Sequence, residues 1–231
     1  MAHEGVYKEY YESYQGKKQG MAKPAHYLQL YGNFLEDLAD LDLVLLELGV
    51  GDGQSLEFFS KLLPKARIFG VDIKKRERAF ADGRVKIYQG AQDDPALFQK
   101  IMEENGLAGF DVVVDDCSHI GGLTLDSFNI LFPRLSSGGF YIIEDWGTGY
   151  WPDYPGGMKF QAQNHLKRKV MTAGSTVREY FLSHQYGIPG MIKQLVDEVG
   201  MGDISRGLQE MMPSKISELH VYPGIIFLRK V

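Results

Sequence analysis

Leu43-Val44-Leu45-Leu46-Glu47-Leu48-Gly49-Val50-Gly51-Asp52-Gly53 joins a short apolar run to three glycines at alternate positions. An apolar run of this length that stops at glycines reads as a buried strand of a parallel sheet. The glycines let the chain turn sharply and let a ligand approach the backbone without Cβ interference. A dinucleotide fingerprint, G-x-G-x-x-G, would need its third glycine where Gln54 stands, so that fingerprint fails. Residues 54–63 then read as a helix ended by Pro64.

The same rhythm continues on both sides. Upstream, residues 21–39 carry Tyr27, Leu28, Tyr31, Leu35 and Leu38 at helical spacing. Downstream, strands are predicted at 67–72, 84–88, 110–115 and 140–144, with helices at 95–105 and 123–135. Alternating strands and helices predict a doubly wound, mainly parallel α/β sheet. At the end of the chain, 216–222 and 225–230 flank Pro223-Gly224, and two residues can join only antiparallel strands. Seven strands closed by such a hairpin resemble the Rossmann-like fold of class I methyltransferases, which use S-adenosylmethionine (SAM). A likeness of fold does not by itself give a function.

Acids collect at the strand ends. Asp72 closes the second strand, where a carboxylate can accept both hydroxyls of a ribose. The fourth strand runs into Asp115-Asp116-Cys117-Ser118-His119 and the fifth into Glu144-Asp145-Trp146. If these strands are neighbours, their ends lie roughly 5 Å apart. Clustered carboxylates repel unless a cation is present, and all-oxygen ligation suits Mg²⁺ better than Zn²⁺. Glu144 and Asp145 point to opposite faces while the strand continues, so they can share one ion only if it breaks there. His119, three residues after Asp116, shares one side of a helical turn with it if that segment is helical. An imidazole at this place can accept a proton at neutral pH or simply cap a helix. Cys117 lacks the histidine and asparagine framework of a cysteine nucleophile and reads as a small residue in a tight turn.

Composition narrows the class. There are 30 acidic against 25 basic residues, interspersed, for a net charge of −5, so no surface suited to nucleic acid is expected. Lys167-Arg168-Lys169 reads as a solvated helix face. One cysteine permits no disulfide within the chain and fits a reducing, cytoplasmic setting. No apolar run is long enough to span a membrane, and the start of the chain has no signal-peptide pattern. A single domain over 1–231 is expected, with a helical extension at 1–40 and a variable lid or helical insertion at 147–215. In that insertion, 150–157 is rich in aromatic and turn residues, and 159–185 and 189–199 read as helical. Tyr7, Tyr10, Tyr11 and Tyr14 suit a cover for the active site or for a second subunit in a homo-oligomer.

Longer strings bring a narrower family into view. Asp115-Asp116-Cys117-Ser118-His119, then Phe132-Pro133-Arg134-Leu135, then Gly138-Gly139-Phe140-Tyr141-Ile142-Ile143-Glu144-Asp145 resembles the Mg²⁺-dependent sugar O-methyltransferases of macrolide and aromatic polyketide biosynthesis. The family pattern is D-D-x-S-H, a proline, then G-G-x-Y-x-x-E-D. Lys17-Lys18-Gln19-Gly20 and His26-Tyr27 to Tyr31 are similar to its segment leading to the cofactor. The resemblance covers about 17–151. It implies Asp116, Glu144 and Asp145 as Mg²⁺ ligands and His119 as the catalytic base. It implies Glu47, Gly49, Gly51 and Gly53 around SAM, Asp72 on its ribose, Gln92 and Asp93 near its adenine, and Asp115 under its methionine part. The substrate implied is a small hydroxylated molecule, a sugar of a glycosylated natural product. Catechol O-methyltransferases are a more distant parallel, with a lysine base where His119 stands. A metal-dependent hydroxylase resembling cephalosporin hydroxylase and a non-catalytic SAM-binding regulator are the other readings of the same pattern.

Overall fold

The computed structural model describes residues 23–78, 80, 83–160, 184–208 and 210–231. Seven strands form one sheet: β1 (Val44–Leu48), β2 (Arg67–Asp72), β3 (Val85–Gln89), β4 (Phe110–Asp115), β5 (Leu135–Glu144), β6 (Ile216–Tyr222) and β7 (Ile225–Lys230). Their order is β3-β2-β1-β4-β5-β7-β6. The first five are parallel, whereas β7 runs antiparallel to both β5 and β6. The strand order reverses between β1 and β4, the crevice where ligands bind in open α/β sheets.

Helices cover both faces. On one lie α1 (Ala25–Leu35) and α2 (Gln54–Leu62), whose Tyr27, Leu28, Tyr31, Leu35, Leu56 and Phe59 pack with Leu45, Val112, Ile142 and Phe227. On the other lie α3 (Pro95–Asn105), α4 (Gly121–Leu131) and α5 (Gly187–Val199), whose Phe98, Ile101, Leu131, Met191 and Leu195 pack with Leu46, Val113 and Tyr141. From Ala25 onward, the stretch expected as an extension is therefore part of the core. The caps are local: the Asp94 side chain accepts from the amides of Ala96 and Leu97, Pro95 opens α3, and left-handed Gly106 ends it.

β5 differs from expectation. It begins at Leu135, five residues before the predicted Phe140, because Leu135 pairs with Phe110 of β4 and Ser136 to Gly139 form a bulge between that pair and Val112–Phe140. The register shifts between Phe110 and Val112, and Gly138 takes φ 76° there. No described helix is long and apolar enough to cross a membrane. The expectations for 17–20, the tyrosines before residue 23, the basic triplet 167–169 and most of 159–185 fall outside the described residues.

Candidate active site

The parallel register sets the ends of the central strands level. Leu48 stands opposite Val71 and Asp115, and Asp115 opposite Ile143. The glycine loop, Asp72, Asp115-Asp116 and Glu144-Asp145 therefore share one edge of the sheet. Gly49, with φ 88°, closes β1 against β4: a Cβ there would lie 2.0 Å from the carbonyl oxygen of Asp116. Gly51, with φ 57°, has nothing within 4 Å of where its Cβ would be, so its backbone is open to an approaching group. Gly53, φ 81°, precedes the first turn of α2.

Asp72 is buried beside Gly51. Its Oδ2 accepts from the Gly51 amide at 3.0 Å and the Arg76 Nη2 at 2.9 Å, and its Oδ1 from the Lys74 amide at 2.8 Å. Burial works to raise its pKa, but the Arg76 guanidinium and these two amides hold it below the usual carboxylate range. Gln92 is turned inward: its Nε2 donates to Ser127 Oγ at 2.9 Å, and its Oε1 accepts from the Ser118 amide at 3.3 Å. It thereby ties the 116–120 loop to α4, and Asp93 sits half-buried beside it. Asp115 is fully buried, and burial pushes its carboxyl up to about 8. Its Oδ2 and the Tyr141 hydroxyl are buried without a hydrogen-bond partner among the described residues.

On the other side of β4, Asp116, His119 and Asp145 each bring one ligand atom within 4.8 Å of the others. His119 Nε2 lies 3.8 Å from Asp116 Oδ1 and 3.7 Å from Asp145 Oδ2, too long for hydrogen bonds. His119 and Asp145 are the non-glycine residues with positive φ among those described, at 54° and 51°. Strained backbone of this kind collects where a side chain must be aimed. For Asp145 it supplies the break after Glu144 that the sequence required. For His119 it departs from expectation: the 116–120 segment is an irregular loop, not a helical turn. Thr148 Oγ1, in the 3₁₀ turn Trp146–Tyr150, donates to the His119 carbonyl at 3.4 Å.

Glu144 and Glu47 lie deeper, and α1 reaches them. Lys23 Nζ contacts Asp116 Oδ2 and Glu144 Oε1, both at 2.6 Å, and stands 3.7 Å from Glu47 Oε1. Tyr31 donates to Glu144 Oε1 at 2.5 Å, and Tyr27 to Asp145 Oδ1 at 2.8 Å. Burial, then the Asp116 charge, pushes Glu144 up to about 7 against the opposing effect of Lys23. Burial pushes Glu47 up to about 8, although Lys23 works to lower it. Burial would lower the Lys23 pKa, but Glu144, Asp116 and Glu47 together hold it well above the ordinary lysine value. Sequence reasoning missed Lys23 and the hydroxyls of Tyr27 and Tyr31. For the two tyrosines the spacing of four residues was the available signal, since it sets both on one face of α1; Lys23, ahead of the helix, gave none.

The residues suit a hard divalent cation. Asp116, Glu144 and Asp145 offer oxygen donors at the ends of adjacent strands. Glu47 Oε1 is buried without a hydrogen-bond partner among the described residues. The open backbone at Gly51 and the ionised Asp72 beside it likewise suit an adenosyl group.

No protein-family model matches the chain. L-olivosyl-oleandolide 3-O-methyltransferase of Streptomyces antibioticus is 40% identical over 134 residues, covering 54% of this chain and 34% of that protein. Mycinamicin VI 2''-O-methyltransferase of Micromonospora griseorubida is 28% identical over 210 residues, covering 87% and 47%. The chain's relatives are sugar O-methyltransferases. Among solved structures, the MycE methyltransferase from the mycinamycin biosynthetic pathway superposes with a TM-score of 0.71 at 27% identity. That match covers 97% of this chain and 54% of that one, which was solved in complex with Mg, SAH and mycinamycin VI. The chain thus spans about half, or less, of the length of the relatives it matches.

Proposed function

We propose that this protein is a SAM- and Mg²⁺-dependent O-methyltransferase acting on a hydroxyl of a small molecule, a sugar of a glycosylated natural product. The observation that carries this reading is the convergence of Asp116, His119 and Asp145 at the sheet edge that also presents Gly51 and Asp72. Its relatives favour this chemistry over a catechol methyltransferase or a hydroxylase.

In this reading Asp72 binds the ribose, exchanging its bond from Arg76 for the sugar hydroxyls. Glu47, Gly49, Gly51 and Gly53 shape the pocket, Gln92 and Asp93 flank the adenine, and Asp115 lies under the methionine part. Asp116, Glu144 and Asp145 hold Mg²⁺, which when bound supplies Lewis-acid stabilisation of a substrate oxygen losing its proton. His119 takes that proton at Nε2 while the acceptor oxygen gains the methyl group and the sulfur of SAM loses it. Such base assistance contributes on the order of 10²–10⁴ in rate. The domain over 1–231 works in the cytoplasm, as its single cysteine suggests, and the aromatic segment at 150–157 covers the substrate.

Removing the Asp72 carboxylate tests the cofactor assignment. Calorimetry should show Asp72→Ala binding SAM at least roughly tenfold more weakly, since charge-assisted bonds to the ribose are lost. Equal SAM affinity in both proteins would remove Asp72 from the cofactor site, and binding of NAD in place of SAM would overturn the whole reading.

A further inference from the structure

We propose that Lys23 is an internal competitor for the divalent cation: its ammonium bridges Asp116 and Glu144, and it must leave them for the ion to bind. This rests on the metal reading above and adds to it a residue that neither the strand-end acids nor the family pattern assigns.

Lys23 Nζ sits 2.6 Å from one oxygen on each of two carboxylates, on the ends of neighbouring strands β4 and β5. That is the bridging position a cation bound to both would occupy. Its side chain is 8% exposed, so this is a fitted internal charge and not a surface ion pair. Mg²⁺ binds carboxylate oxygens at about 2.0–2.1 Å and demands near-octahedral geometry. An ammonium at hydrogen-bond distance from the same oxygens would fill part of that shell. It would also face a double positive charge a few ångströms away in a weakly screened interior.

The neighbouring donors on α1 do not share this conflict. Tyr27 and Tyr31 carry no charge, and their hydroxyls can stay on Asp145 and Glu144 as outer partners of the ion. Lys23 differs in place as well as charge, because it stands ahead of Pro24 and outside the helix. Its withdrawal therefore leaves α1 intact. Without the ion, Lys23 offsets the repulsion among Glu47, Asp116 and Glu144; with it, the ion does so. Metal affinity is correspondingly lowered by the lysine.

Two measurements on the full chain test this. Calorimetric titration with Mn²⁺ should show Lys23→Met binding roughly tenfold or more tightly than wild type, as removal of a close positive charge requires. Amine labelling read by mass spectrometry should find Lys23 of the wild-type protein protected without metal and reactive once Mg²⁺ is saturating. Equal or weaker Mn²⁺ affinity in the variant would overturn the proposal. So would a Lys23 that stays protected at saturating Mg²⁺, and labelling needs no variant to fold. If neither protein binds Mn²⁺, the metal reading itself fails, an outcome distinct from metal binding that ignores Lys23.

Discussion

His119 and Asp145 hold backbone conformations that side chains other than glycine seldom take, and both face Asp116 across the end of β4. Asp and His tolerate this region better than bulkier residues, so the aim is achieved at modest cost. In the proposed mechanism His119 is the member of the trio not assigned to the metal and takes the substrate proton. His119→Ala should therefore keep SAM and Mg²⁺ binding while turnover falls by about 10²–10⁴, measured under single-turnover conditions. Near-normal turnover would make His119 structural and move the base to a carboxylate. At this scale the acids were legible in the sequence, because they recur together at the ends of successive apolar strands. Lys23 was not, because nothing local reveals that a residue outside a helix reaches two strand ends far along the chain. Nor were the hydroxyls of Tyr27 and Tyr31, whose rings fit the apolar pattern that predicts α1.

Helix α1 does two jobs at once, and its register links them. One face fills the core with Leu28 and Leu35, and the adjoining tyrosines carry hydroxyls to the acids. Tyr31 is fully buried among Phe58, Phe59 and Phe227, so Tyr31→Phe keeps the packing and removes only the hydroxyl. The loss of a buried bond to a charged carboxylate should cost about 1–3 kcal/mol of stability, measured by denaturant unfolding without metal. An unchanged midpoint would mean that Glu144 does not depend on this donor. Element boundaries were largely legible: β2, β4, β6, β7 and α3 fall where the apolar pattern and caps put them. The start of β5 was not, since Ser136-Ser137-Gly138-Gly139 has turn composition and is carried within the strand as a bulge between the pairs Phe110–Leu135 and Val112–Phe140.

At the scale of the whole molecule, the sheet order decides where chemistry can occur. Reversal between β1 and β4 opens a crevice at their carboxyl ends, with β2 bringing Asp72 to one side and β5 bringing Glu144 and Asp145 to the other. A cofactor on the β1–β2 side and a cation on the β4–β5 side would then meet over the 116–119 loop, which is the layout methyl transfer to a metal-held oxygen requires. The sequence displayed this layout because β2, β4 and β5 each end on an acid, Asp72, Asp115 and Glu144. It could not display how α1 closes the edge from above, which depends on packing between distant segments. The most direct test of the account is product mass after incubation of the chain with SAM, Mg²⁺ and a glycosylated macrolide. The product should gain one methyl group, a gain that EDTA abolishes and added Mg²⁺ restores. Full turnover in EDTA, or a gain of one oxygen in place of a methyl group, would contradict it.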